Sequence, residues 1–139
     1  MASRYLSNAY VVGDEPGGVA VFVDSGAPLA PLLTFIEENR LTPTHVLRTH
    51  GHADHVSDAA QIAKRTGATV VSNFEICNWL EKQGVKKTEP MNIGGGIALP
   101  FGRVQMTIAH HSSLLTEGTG GGNPGGFGLT LADGQNYFA

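Results

Sequence analysis

Cysteine is almost missing: Cys77 is the single one in 139 residues. A lone thiol excludes an internal disulfide framework and leaves the redox compartment open, with the cytoplasm as the default expectation. Charge is scarce as well. Charged residues make up 15% of the chain, and 9 Lys+Arg against 12 Asp+Glu leave a net charge of −3. No basic block occurs, which argues against nucleic acid or an anionic membrane as a partner. Long hydrophobic runs are absent; the longest, Val19 to Val23, is far too short to span a bilayer. The stretch from Met1 to Val12 has no basic segment followed by an apolar one, so no signal peptide is expected. Neither a G-x-G-x-x-G after the first strand nor a G-x-x-x-x-G-K-[ST] is present, which sets a nucleotide-binding domain aside.

What is present is a globular composition. Hydrophobic residues reach 41%, and a chain of this length is expected to form one domain over residues 1–139 with a core of its own. Glycine is abundant at 19 residues, about twice the usual share. Gly118, Gly120, Gly121, Gly122, Gly125, Gly126 and Gly128 crowd one stretch with Pro124 among them, which reads as a loop. Gly94 to Gly96 read as a tight turn before a strand.

The hydrophobic pattern orders the elements. Tyr5-Leu6 and Tyr10 to Val12 read as short strands, and Pro16-Gly17 centres a turn. Val19 to Val23 reads as a buried strand. Leu29, Leu32, Leu33 and Ile36 follow helical spacing from about Pro28 to Arg40, stopped by Thr42-Pro43. A strand over Thr44 to Thr49 follows, then a helix marked by Val56, Ala59, Ala60 and Ala63 and closed by Gly67. Thr69 to Ser72 reads as a strand. Asn73 caps a third helix carrying Ile76, Trp79 and Leu80 and ending at Gly84. The remainder is β: Ile97 to Leu99, Val104 to Ile108, and a hairpin of Phe127 to Leu131 and Asn136 to Phe138 turned by Asp133-Gly134. The order predicts an α/β fold with a mixed sheet and about three helices.

The segment Thr49-His50-Gly51-His52-Ala53-Asp54-His55 carries the chemistry. It lies where a strand ends and a helix begins. Alternate side chains of an extended backbone share a side, so His50 and His52 can face one cation. Asp54 and His55, at the turn into the helix, can face a neighbouring one. Imidazole and carboxylate together suit Zn²⁺, and also Fe or Mn. The plainer reading makes Asp54 a helix cap and the histidines surface polar residues. His110-His111 follows a later apolar strand, and one of the pair is expected to be the third ligand beside His50 and His52. His45, at a strand start, reads as a packing residue.

An H-x-H-x-D-H run at a strand–helix junction, followed by a strand-end histidine, resembles the metallo-β-lactamase fold superfamily. That resemblance implies an αββα sandwich, a one- or two-metal site, usually zinc, and hydrolytic chemistry. Asn8 to Gly13 with Val23-Asp24-Ser25-Gly26 is similar to the opening of glyoxalase II-like members. Asn73-Phe74-Glu75, Met91 to Gly95, Ala109-His110-His111-Ser112-Ser113 and Gly122 to Phe127 are similar to a little-characterised branch of metal-dependent hydrolases. That branch has the pattern Ala-Phe-His-Ser-Ser with the histidine as ligand, which by position implies His111. A hybrid or recombinant of two relatives would account for the split. Family members are usually longer and continue with a Gly-Asp-Thr whose Asp bridges two metals, then a last histidine. Here the chain stops at Ala139, which implies half of the sandwich.

The resemblance implies metal ligands His50, His52, Asp54, His55 and His111, with one or two Zn²⁺ per chain. Zinc-bound water, its pKa lowered towards ~7, would attack an ester, thioester, lactam or phosphodiester, with Asp54 orienting the water or taking its proton. Ser112, Ser113 and the glycine-rich loop either line the pocket or serve as a plain connector. The alternative is a metal-binding half-fold with little turnover. Three helices covering one sheet face would leave Val21, Val23 and Val46 or Leu47 bare on the other, so a homodimer is expected to cover them.

Overall fold

A computed structural model describes residues 8–25, 28–52, 56 and 58–139. The strand expected at Tyr5-Leu6 lies outside the described residues. The elements in chain order are β1 (Tyr10–Gly13), β2 (Val19–Val23), α1 (Ala30–Glu38), β3 (Thr42–Leu47), α2 (Ala59–Thr66), β4 (Thr69–Ser72), α3 (Phe74–Lys82), β5 (Thr88–Pro90), β6 (Gly96–Leu99), β7 (Gly102–Ile108), β8 (Gly125–Leu131) and β9 (Asn136–Phe138).

The strands divide into two sheets. The first has the order β1-β2-β3-β4-β5; the second has the order β6-β7-β8-β9. In the first, β2 to β5 run parallel and β1 is antiparallel to β2, so the sheet is mixed. Its parallel strands follow chain order, so each crossover of the same hand lays its helix on the same side. Helix side chains Ile36, Ile62, Ala63, Ile76 and Leu80 accordingly pack on Ala20, Phe22, Val46 and Val70. The second sheet is antiparallel throughout.

Val21, Val23, Leu47 and Val71 turn the other way. They pack on Val104, Met106, Phe127, Leu129 and Leu131 of the second sheet. Helices and two sheets thus stack as three layers of an αββα sandwich. The uninterrupted apolar run of β2 reflects burial on both faces, as in a covered parallel strand. One expectation changes here. The bare apolar face invoked for a two-fold partner is covered by the chain's own second sheet, and Val46 faces the helices. The strand at Thr88–Pro90 is a further difference from the sequence pattern. Thr-Glu-Pro has no apolar alternation, and its proline sits on the edge of the sheet, where a missing donor is tolerated.

Local signals set the helix ends. The Asn73 side chain accepts from Ile76 N–H at 2.9 Å, and Gly67 closes α2 at φ 73°. Gly102, where β7 begins, has φ 154°, and a Cβ there would stand 2.0 Å from the Thr130 carbonyl oxygen. Neither backbone can yield without breaking the β7–β8 ladder. Gly102→Ala is expected to lower the unfolding free energy by about 1–3 kcal/mol, the usual cost of overpacking. Urea unfolding measures it, and an unchanged midpoint would show that the ladder gives way easily.

Candidate metal centre

Asp24, Arg48 and Ser72 all lie where parallel strands of the first sheet end, the edge at which open α/β sheets place their sites. His50 and His52 follow β3; His111 follows β7 of the second sheet. The three rings meet at the mouth between the sheets. Ring centroids are 4.7 Å apart for His50 and His52, 4.5 Å for His50 and His111, and 5.0 Å for His52 and His111. One ligand nitrogen from each lies within 4.8 Å of the others. His50 is buried, His52 half-buried and His111 exposed, so the cluster opens outward from an anchored base.

The base is built from charge. Arg48 is fully buried, with Nη1 3.6 Å from Asp24 Oδ1. Its Nη2 donates to Ser25 Oγ. Burial pushes the Arg48 guanidinium down to about 10, against the opposing pull of Asp24. Asp24 itself sits in the left-handed region at φ 47°, a conformation that Asp and Asn tolerate better than most residues. Its carboxylate accepts from Thr49 N–H at 3.1 Å and from the Thr49 hydroxyl at 2.8 Å. That hydroxyl has then spent its hydrogen, so it accepts from His50 Nδ1–H at 2.8 Å. Nε2 is then the His50 ring nitrogen that carries the lone pair.

His111 Nδ1 lies 2.8 Å from the Ser112 carbonyl oxygen, which can only accept. His111 Nε2 therefore keeps its lone pair. His52 Nε2 lies 3.0 Å from Ser112 Oγ. The donor set fits a divalent cation. His50, His52 and His111 would hold it, three imidazole nitrogens within 4.8 Å of one another being a donor set that suits zinc.

Asp54 and His55 lie outside the described residues, so a second cation position rests on the sequence pattern alone. His110 does not join the cluster. It lines an open cavity of about 420 Å³ beside it, with Ile93, Ile108, Asn123 and Pro124. His45 lies edge-on to Phe101 at 5.5 Å, with Nδ1 3.0 Å from Thr44 Oγ1. Burial lowers its pKa.

The glycine-rich stretch does two jobs. Gly125, Gly126 and Gly128 belong to β8, while Gly121 packs against the histidine loop. Its carbonyl accepts from Asn73 Nδ2 at 2.7 Å and from Ser113 Oγ at 2.9 Å. Sequence reasoning missed Arg48 and Thr49 as supports of the site. The available signal was a charged residue set directly after a buried apolar strand.

Comparisons with known proteins follow the same lines. The family model described as the metallo-beta-lactamase superfamily matches residues 2–138. A UPF0173 metal-dependent hydrolase of Methylacidiphilum infernorum is 48% identical over 99 residues, covering 71% of this chain and 44% of that protein. A UPF0173 metal-dependent hydrolase of Shouchella clausii is 41% identical over 138 residues, covering 92% of this chain and 58% of the relative. Among solved structures, the metallo hydrolase Igni18 from the hyperthermophilic archaeon Ignicoccus hospitalis superposes with a TM-score of 0.68 at 30% identity, over 86% of this chain and 52% of that one. The chain spans about half the length of the curated relatives it matches. Among the described residues, no helix is long and apolar enough to cross a membrane.

Proposed function

The chain belongs to the metallo-beta-lactamase superfamily, and on that premise we propose that it is a metal-dependent hydrolase unit whose histidine cluster holds zinc. The observation that carries this reading is the convergence of His50, His52 and His111 from two sheets, each with its other ring nitrogen hydrogen-bonded. That pattern, a ligand nitrogen inward and a hydrogen-bonded nitrogen outward, is how ligating imidazoles are held. A bound zinc supplies Lewis acidity, polarising a carbonyl or phosphoryl oxygen and bringing a water's pKa to about 7.

The chain's own residues do the rest. His50 anchors the centre through Thr49 and Asp24 to the buried Arg48. His111 closes the ring from the exposed side. The cavity beside it, with Ile93 and Ile108 as apolar walls and His110 and Asn123 as polar ones, would seat an ester, thioester, lactam or phosphodiester. Asp54 is proposed to orient the attacking water and take its proton. A second reading, metal uptake with little turnover, draws on the exposure of His111, which leaves the centre walled on one side among the described residues.

Two measurements on the purified chain separate these readings: zinc content, and hydrolysis of one substrate of each class with and without chelator. Bound zinc with chelator-sensitive hydrolysis supports the hydrolase. Bound zinc without turnover selects the second reading. A chain that takes up no zinc overturns both.

A further inference from the structure

We propose that Ser112 is the positioning residue of the three-imidazole centre, aiming two of its three rings at once, with Ser113 holding the loop that presents it. The inference rests on the metal-centre reading above and concerns how that centre is assembled. His52 comes from the end of β3 in the first sheet and His111 from the end of β7 in the second; among the described residues, no β-ladder joins the two sheets. The rings must therefore be brought into register by loops.

Ser112 touches both. Its carbonyl oxygen accepts from His111 Nδ1 at 2.8 Å, and its hydroxyl oxygen stands 3.0 Å from His52 Nε2. When that hydroxyl accepts from Nε2–H, His52 keeps the Nδ1 lone pair free to face a cation. One residue thus sets the orientation of a ligand from each sheet.

The neighbouring serine fastens the loops together. Ser113 Oγ accepts from Gly51 N–H at 2.9 Å and donates to the Gly121 carbonyl at 2.9 Å. Gly121 N–H returns to the Ser113 carbonyl at 2.9 Å. Gly51 is the residue between His50 and His52, so the clip grips the histidine loop at its middle. The fit is close: a Cβ on Gly51 would stand 3.2 Å from Ser113 Oγ.

Losing a hydrogen bond to the outward nitrogen of a ligating histidine typically weakens metal binding about 10–100-fold. Ser112 is exposed, so removing its hydroxyl leaves no buried gap. The test uses the stripped chain, titrated with Zn²⁺ against a chromophoric chelator and with Co²⁺ for its visible absorption. Ser112→Ala is expected to bind Zn²⁺ about 10–100-fold more weakly and to shift the Co²⁺ bands, while the metal-free melting midpoint stays at the wild-type value. Ser112→Thr, which keeps the hydroxyl, restores both affinity and bands. Ser113→Ala is expected to lower the metal-free midpoint and weaken Zn²⁺ binding together. Ser112→Ala that matches wild type in affinity and spectrum overturns the assignment, as does Ser112→Thr that behaves like the alanine variant. If the wild-type chain takes up neither ion, the metal-centre reading falls and takes this assignment with it, an outcome distinct from equal binding by wild type and variant.

Discussion

Asp24→Asn is expected to lower the unfolding free energy by about 3–5 kcal/mol, the usual cost of removing one partner of a buried ion pair. Arg48 has no exposed surface, and Asp24 is its acidic partner at 3.6 Å. Burial already outweighs that attraction, since the guanidinium is pushed down to about 10. With the carboxylate neutralised, the cation keeps the neutral Ser25 hydroxyl and the electrostatic pull of Asp58. Asparagine is the right replacement because it tolerates the φ of 47° and preserves the shape. The loss then reports charge and hydrogen bonding rather than strain. Urea unfolding measures it, and the double variant Asp24→Asn/Arg48→Met is expected to recover part of the loss, because the stranded charge is gone. A single-variant loss below about 1 kcal/mol, the scale of an exposed pair, would show that the two charges are effectively solvated.

His50→Ala is expected to abolish the zinc-dependent stabilisation of the fold. A ligand that binds only the native state at a hundredfold excess over its Kd stabilises it by about 2.7 kcal/mol. Metal ligands scattered over separate loops converge only in the folded chain, so metal binding and folding are coupled. His50 is the buried member of the cluster, tied through Thr49 to Asp24. Its loss leaves two more exposed imidazoles and removes the anchor of the site. Melting curves with zinc and with chelator should separate for wild type and coincide for His50→Ala. His111→Ala should behave like His50→Ala. His110→Ala should retain the separation, because His110 lines the adjacent cavity and stands outside the cluster. A wild-type curve indifferent to chelator would defeat the coupling. Loss of the separation in His110→Ala but not in His111→Ala would place the ligand one residue earlier.

The sequence by itself determined whatever depends on neighbours a few residues away. Helical spacing placed α1, α2 and α3, and Asn73 and Gly67 marked their ends, because caps and turns are satisfied within one turn of the chain. His50 and His52 were legible as a pair because an extended strand end aims alternate side chains the same way. His111 is singled out over His110 by the resemblance together with the alternation of strand side chains; alternation alone separates two adjacent side chains but does not say which of them turns towards a loop nearly half the chain away.

Tertiary structure decided the rest. The β periodicity identified strands but could not divide them into two sheets; pairing depends on which edges meet, and a period of two is the same in either sheet. That division covers Val21, Val23 and Leu47 from within the chain. It also supplies β5, whose Thr-Glu-Pro pairs only because β4 offers a parallel edge. Arg48 and Asp24 read as ordinary polar residues until packing removes their water. Ser112 becomes a positioning candidate only when the ends of β3 and β7 meet, because hydrogen bonds between distant loops follow from how the sheets stack, and no local pattern encodes that.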